Sequence, residues 1–195
     1  ENKKGYKNNK TLQRVLTLAG IQEFNDGYYL KASNFFKRSL KIRENKYWEA
    51  FCLYWYGRSE YERDKFDAAL DLFKQFYKHP NNEEVFSKYR LNYDIGYTYL
   101  KLGEYKYALK SFEVFNKSND VLDVSYQGDT FLRIADCHFA LKNYWDAMEN
   151  YNIAILLNPK NGGYASFQKA VSYGFVERNN QKIKALNEFL KIYPK

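Results

Sequence analysis

Residues 53–80 read LYWYGRSEYERDKFDAALDLFKQFYKHP, and this stretch decides the fold. Its first half carries apolar residues at helical steps, for example at Leu53 and Tyr61. The polar turn Arg63-Asp64-Lys65 interrupts the pattern, and a second helical pattern follows. Pro80 stands where a residue without an N–H would close that second helix. The stretch therefore predicts two antiparallel helices joined by a short turn.

The same unit occurs four times along the chain. A small residue is followed twelve positions later by an alanine, and aromatic residues stand three positions before and four positions after that alanine. The small residues are Gly20, Gly57, Gly96 and Ala135, the alanines are Ala32, Ala69, Ala108 and Ala147, and the aromatics are Tyr29, Phe66, Tyr105 and Tyr144 before them and Phe36, Phe73, Phe112 and Tyr151 after them. The units are 37, 39 and 39 residues apart, so a rigid hairpin with adjustable connections is predicted. We expect each small residue to face its alanine and the aromatics to fill the space between hairpins.

This pattern resembles the tetratricopeptide repeat (TPR), whose signature is W-x2-L-G-x2-Y, then A-x3-F, then P. Repeat two matches it with Leu53-x2-Tyr56-Gly57, then Ala69-x3-Phe73, then Pro80. The signature tryptophan is absent from its own place, and the repeats are longer than the usual 34 residues. The resemblance implies an all-α fold, a right-handed superhelical array of antiparallel helix hairpins of the TPR-like α-solenoid type.

The domain boundaries follow from the repeat. We expect residues 1–10 to form a basic polar tail or the end of a preceding helix, and residues 11–195 to form a single array. The repeats are predicted at about 11–45, 46–82, 83–120, 121–160 and 161–195. The register of the fifth is unsettled, because Ala185-x3-Phe189 fits the second helix while Gly174 falls one place off.

The two chain ends are unusual for an array. Glu1 is not an initiator methionine, and the last helix has no polar cap after it. We therefore expect a fragment of a longer protein, or another chain covering the last face. The ending Phe189-Leu190-x2-Tyr193-Pro194 is similar to that of bacterial cell-envelope TPR proteins, which favours the bacterial periplasm or cell envelope.

The charge of the chain is uneven. Of the net charge of +8, residues 1–45 carry +6. Such a basic end suits an acidic partner, nucleic acid or an anionic membrane surface, or it is simply a solvated face. No run of 18 apolar residues occurs, so no membrane span is predicted.

The resemblance implies that the first helices of the repeats line a concave binding face. When the repeats are aligned on their small residues, the positions of this face are Tyr54, Arg58 and Tyr61 in repeat two, Arg90, Tyr93, Tyr97 and Lys101 in repeat three, and Arg133 and Asp136 in repeat four. Tyrosine and arginine are enriched at binding hot spots, so an aromatic, basic groove would suit an extended peptide or an acidic segment. Alternatively, several of these tyrosines pack between repeats with only their hydroxyls in water.

Some TPR domains grip a C-terminal carboxylate with lysine and asparagine at set groove positions. Those positions read Thr17, Ile21, Trp55 and Asp94 here, so binding of chaperone tails is not expected.

No catalytic residue, metal site or cofactor is predicted. Cys52 and Cys137 lie in apolar helical patterns typical of buried thiols. His138 neighbours Cys137, but adjacent helical residues do not face one another, so they do not form a dyad. We predict a non-catalytic protein–protein interaction scaffold that binds a protein or peptide. The alternatives are homo-oligomerisation through the uncapped C-terminal repeat and single-stranded nucleic-acid binding by the basic and aromatic surface.

Overall fold

A computed structural model describes residues 3–85, 88–117, 124–159 and 162–194. Eleven helices and no strands occur within these ranges, in two compact units, Glu1–Leu102 and Gly103–Lys195. The helices of the first unit are α1 (Lys3–Asn25), α2 (Tyr29–Leu40), α3 (Lys46–Glu62), α4 (Phe66–Lys78), α5 (Asn82–Val85) and α6 (Lys88–Lys101). Those of the second are α7 (Tyr105–Asn116), α8 (Val124–Ala140), α9 (Tyr144–Leu157), α10 (Gly162–Phe175) and α11 (Asn179–Ile192).

Neighbouring helices pack as hairpins. In the first unit α1 packs on α2 and α3 on α4, and α6 then packs on α4. In the second unit α7 packs on α8, α8 on α9, and α10 on both α9 and α11. Residues 3–10 belong to α1, where the sequence predicted a basic polar tail or the end of a preceding helix. The polar Lys and Asn residues of this segment concealed its helical character.

Five of the connections between consecutive helices contain one recurrent turn. A residue of positive φ occurs in each: Gly27 (81°), Asp64 (56°), Gly103 (74°), Lys142 (65°) and Glu177 (59°). In the first, second, fourth and fifth of these turns the next residue donates its N–H to the carbonyl five residues back, for example from Tyr28 to Glu23 at 2.8 Å. This is the Schellman arrangement, which ends the first helix by satisfying one of its last carbonyls. The residue after the positive-φ position is then the N-cap of the second helix, as Tyr28 is for α2.

The turn also fixes the residue at which the following helix begins. The carbonyl of the residue after the positive-φ position accepts the N–H of the residue four places on, which is Ala32, Ala69, Ala108, Ala147 and, in the fifth hairpin, Lys182. Lys182 therefore takes the alanine position of that hairpin, and the predicted Ala185-x3-Phe189 register is three residues off. An apolar pair at i, i+4 recurs on any amphipathic helix, whereas the turn occurs once.

The small residue of the repeat makes room for an aromatic ring. A Cβ added to Gly20 would lie 2.6 Å from the Phe36 ring, and one added to Gly57 would lie 2.6 Å from the Phe73 ring. The expected partner was the alanine, but the ring four residues beyond it fills the gap. Phe36 also packs against Tyr56 of the next hairpin, with ring centroids 6.3 Å apart, as the sequence predicted.

Buried polar contacts connect α2 to α3. Glu60 is only 4% exposed, and its Oε1 accepts from Ser33 Oγ at 2.6 Å and from Arg63 Nη1 at 2.6 Å. Burying an unpaired carboxylate costs free energy. This contact therefore favours the packing arrangement of the two hairpins in which Glu60 is paired.

Candidate functional site

The first unit has a pocket of about 210 Å³ between α3, α4 and α6. Its lining consists of Arg58, Tyr61, Glu62, Phe73, Tyr93, Asp94 and Tyr97. The α3 residues are three and four positions apart, and so are the α6 residues, so each helix presents one face to the pocket. The first helices of repeats two and three, α3 and α6, thus supply all the lining residues except Phe73.

A buried tyrosine outside the lining, Tyr54, bonds to the aspartate of this pocket. Tyr54 is 4% exposed, and its hydroxyl donates to Asp94 Oδ2 at 2.9 Å. Arg58 Nη1 donates to the Tyr54 oxygen at 3.4 Å and lies 3.9 Å from Asp94 Oδ1. The Tyr54 ring packs 5.7 Å from Phe76. Tyr54 therefore connects α3 to α6, and its own surface is not available to a ligand.

Burial is the main cause of the pKa shifts of Asp94 and Tyr54. It raises the pKa of the Asp94 carboxyl, while the Arg58 charge and the hydrogen bond from Tyr54 offset part of that rise. Burial also raises the pKa of Tyr54, and the neighbouring Asp94 carboxylate adds to the rise. The hydroxyl therefore stays a donor at neutral pH.

The walls of the pocket are aromatic. Tyr93 and Tyr97 meet edge to face with ring centroids 5.0 Å apart, and Tyr61 meets Phe66 at 5.5 Å. The tyrosines of the walls are partly exposed. Such rings offer apolar area and a polar tip with few rotatable bonds.

Four of the nine predicted binding residues meet in this pocket: Arg58, Tyr61, Tyr93 and Tyr97. Arg90 and Lys101 are exposed on α6 outside its lining. The sequence did not predict Asp94, Glu62 or Phe73 as binding residues. The signal for the two carboxylates was their spacing, because Glu62 and Asp94 each follow an arginine by four positions.

The remaining two predicted residues lie in the second unit and contact one another. Arg133 Nη1 donates to Asp136 Oδ2 at 2.9 Å, and its Nη2 donates to Asp129 at 3.3 Å. The hydroxyls of Tyr151 and Tyr164 donate to Asp136 Oδ1 at 2.9 and 3.1 Å. Burial raises the pKa of Asp136, and these donors offset it in part. The cluster connects α8, α9 and α10.

Neither cysteine has the environment of a nucleophile. Both are buried, and burial raises the pKa of each thiol to about 12. A protonated thiol is neither a nucleophile nor a metal ligand at neutral pH. The described ranges contain no group of three His, Cys, Asp or Glu side chains that could hold a metal ion. No helix within them combines the length and apolar character that crossing a membrane requires.

Comparison with known proteins confirms the predicted resemblance and fold class. Residues 51–82 match the family model of the tetratricopeptide repeat. The structure of a MamA protein is similar with a TM-score of 0.77 and 15% identity, covering 93% of this chain and 91% of that one. YrrB, described as a TPR protein with an unusual peptide-binding site, has a TM-score of 0.76 and 16% identity, covering 92% and 86%.

A third structure, MamA from Desulfovibrio magneticus RS-1, has a TM-score of 0.75 and 14% identity, covering 93% and 94%. No curated protein matches the chain. At these identities the structures establish the fold, an all-α array of the TPR type.

Proposed function

Because residues 51–82 are a tetratricopeptide repeat and the chain has the fold of TPR structures, we propose that it is a non-catalytic scaffold that binds an extended segment of a partner protein. The observation that carries the proposal is the first-unit pocket, which the first helices of consecutive repeats form with partly exposed tyrosines. YrrB, with the same fold, is described as having a peptide-binding site, which supports this choice.

The contacts are assigned by exposure. Tyr61, Tyr93 and Tyr97 supply apolar area, and the polar groups of Arg58 and Glu62 meet the segment at the edge. Arg90 and Lys101, exposed along α6, extend the contact beyond the pocket. We do not extend it to Arg133 and Asp136, whose bonds to each other and to neighbouring helices serve packing of the second unit.

Selection from a random dodecapeptide library on the immobilised chain tests this function. The Tyr93→Ala/Tyr97→Ala variant removes two walls of the pocket, and Tyr28→Ala/Tyr107→Ala removes two tyrosines that are 55% and 58% exposed elsewhere. We expect a selected peptide to bind the pocket variant at least about tenfold more weakly and the control variant equally well. Equal binding to a folded pocket variant, or no selected peptide, would contradict the function.

Self-association is a second candidate, favoured by the surface of α11. No residue of this helix is buried, and Ile183, Leu190 and Ile192 are 59%, 61% and 67% exposed. A second copy would cover this apolar face. Sedimentation velocity of the native chain and of Ile183→Lys/Leu190→Lys checks it. The expected result is a concentration-dependent dimer that the variant loses, and a native chain that stays monomeric would exclude it.

A further inference from the structure

The pocket lining has more acidic than basic side chains, unlike the chain as a whole. The whole chain carries +8, and the sequence alone predicted a basic groove. The pocket lining, however, contains one guanidinium, that of Arg58, and two carboxylates, those of Asp94 and Glu62. Since Arg58 Nη1 lies 3.9 Å from Asp94 Oδ1, the Asp94 carboxylate already partly balances the charge of Arg58. With both carboxylates ionised the lining is net negative by one charge.

The walls add to the same preference. Tyr61, Tyr93, Tyr97 and Phe73 line the same pocket as the two carboxylates. The face of an aromatic ring carries negative partial charge and attracts ammonium and guanidinium groups. An aromatic pocket that also contains carboxylates is therefore suited to a cation with an apolar stem.

The size of the pocket limits what it takes. Its volume of about 210 Å³ is below the roughly 300–1,000 Å³ that is usual for sites holding a drug-sized molecule. One long side chain of a peptide is the matching occupant. Lysine and arginine combine such length with a charged head and an apolar stem.

We propose that the pocket receives a single lysine or arginine side chain of the partner segment, with its stem against Tyr93 and Tyr97 and its charged head at Glu62 and Asp94. This inference rests on the proposed function and specifies one basic side chain of its partner segment. Arg58 also holds Asp94 in place in this arrangement, because it lies 3.9 Å from Asp94 Oδ1 and donates to the Tyr54 hydroxyl oxygen. An acidic segment would instead face two carboxylates.

Titrations of the full chain, followed by ¹⁵N NMR, test the pocket directly. The probes are N-acetyl-arginine amide and N-acetyl-lysine amide, with N-acetyl-norleucine amide as the uncharged stem and N-acetyl-glutamate amide as the anion. We expect the two cations to shift the backbone amides of Glu62, Tyr93 and Tyr97 and to bind at least about threefold more tightly than norleucine amide. Glu62→Gln should weaken the cations about two- to fivefold, and Glu149→Gln, exposed on α9, should not change them.

The other outcomes overturn the inference. Equal binding of norleucine amide would make the pocket merely apolar, and stronger binding of glutamate amide would make Arg58 its dominant charge. Absence of shifts at the pocket amides with every probe would also overturn it. Library peptides that need Tyr93 and Tyr97 but show no basic residue would leave the proposed function standing and remove the cation. Cation binding without any pocket-dependent peptide would support the cation pocket and remove the peptide-binding function.

Discussion

The Phe73 ring occupies the space that a side chain at position 57 would need. A methyl group there would lie 2.6 Å from a ring that is fully buried and cannot move into solvent. We expect Gly57→Ala to lower the free energy of unfolding by about 1–3 kcal/mol through overpacking, despite the higher helix propensity of alanine. Urea denaturation followed by far-ultraviolet circular dichroism measures this.

The fifth hairpin supplies the control for that substitution. By the turn register, Ala170 and Leu186 take the positions of Gly57 and Phe73 there. The double variant Gly57→Ala/Phe73→Leu reproduces this pair and should recover part of the lost stability. A Gly57→Ala variant as stable as the native chain would show that the glycine is not required by the ring.

Asp94 makes stability depend on pH. Its folded pKa is above the ordinary 3.8, so the folded chain retains a proton that the unfolded chain releases within that window. Stability contributed by the protonated carboxyl is therefore lost as the pH rises from about 4 through the folded pKa. We expect Asp94→Asn, which still accepts from Tyr54, to gain in melting temperature relative to the native chain over this rise. Asp71→Asn, exposed on α4, is the control, and parallel curves for Asp94→Asn and the native chain would contradict the shift.

The site was predictable only in part at this scale. Alignment on the small residues places Arg58, Tyr61, Tyr93 and Tyr97 on one face of each first helix, because helical spacing alone decides that. It also selects Tyr54, which is buried and lies outside the pocket lining, because spacing does not tell which turn of the helix the next hairpin covers. The balance of charge depends on Asp94 and Glu62 approaching Arg58, which only the packing of α6 beside α3 determines.

At the scale of the helices, the recurrent turn decides where each hairpin begins. Gly27 and Gly103 adopt positive φ without steric cost, whereas Asp64, Lys142 and Glu177 adopt it with a Cβ. The sequence marks the glycine turns plainly, but the other three have no such mark. The first four hairpins followed from their alanines, whereas Lys182 occupies that position in the fifth, so the sequence left its register unsettled.

Replacing Lys142 by glycine should relieve this strain. Its φ is 65° and its side chain is exposed, so little contact is lost with it. We expect Lys142→Gly to raise the free energy of unfolding by about 0.5–1 kcal/mol, the relief exceeding the added entropy of the unfolded chain. Thermal and urea melts measure it. Gly103→Ala is the matched opposite and should destabilise by a similar amount, and a loss of stability on Lys142→Gly would mean that the lysine makes contacts worth more than the strain.

At the scale of the molecule, the chain consists of two compact units that meet in sequence at Gly103, inside the turn between α6 and α7. In a repeat array, stability is approximately a sum of the stabilities of the repeats and of the interfaces between neighbours. Every residue that lines the pocket lies between Arg58 and Tyr97, and the helices that hold it all belong to the first unit. The proposed binding activity is therefore a property of that unit.

A chain of residues 1–102 should accordingly fold and retain the pocket. The α1–α2 and α3–α4 hairpins bury their rings among themselves, α6 packs on α4, and the Tyr54–Asp94 bond needs no residue beyond 102. We expect one cooperative urea transition with an m-value about half that of the full chain, because m scales with the surface exposed on unfolding. The arginine amide titration should give the same dissociation constant within about twofold, and residues 103–195 alone should show no shifts. A fragment without cooperative unfolding would mean that the first unit depends on the second, and a folded fragment without binding would place the site outside α3, α4 and α6.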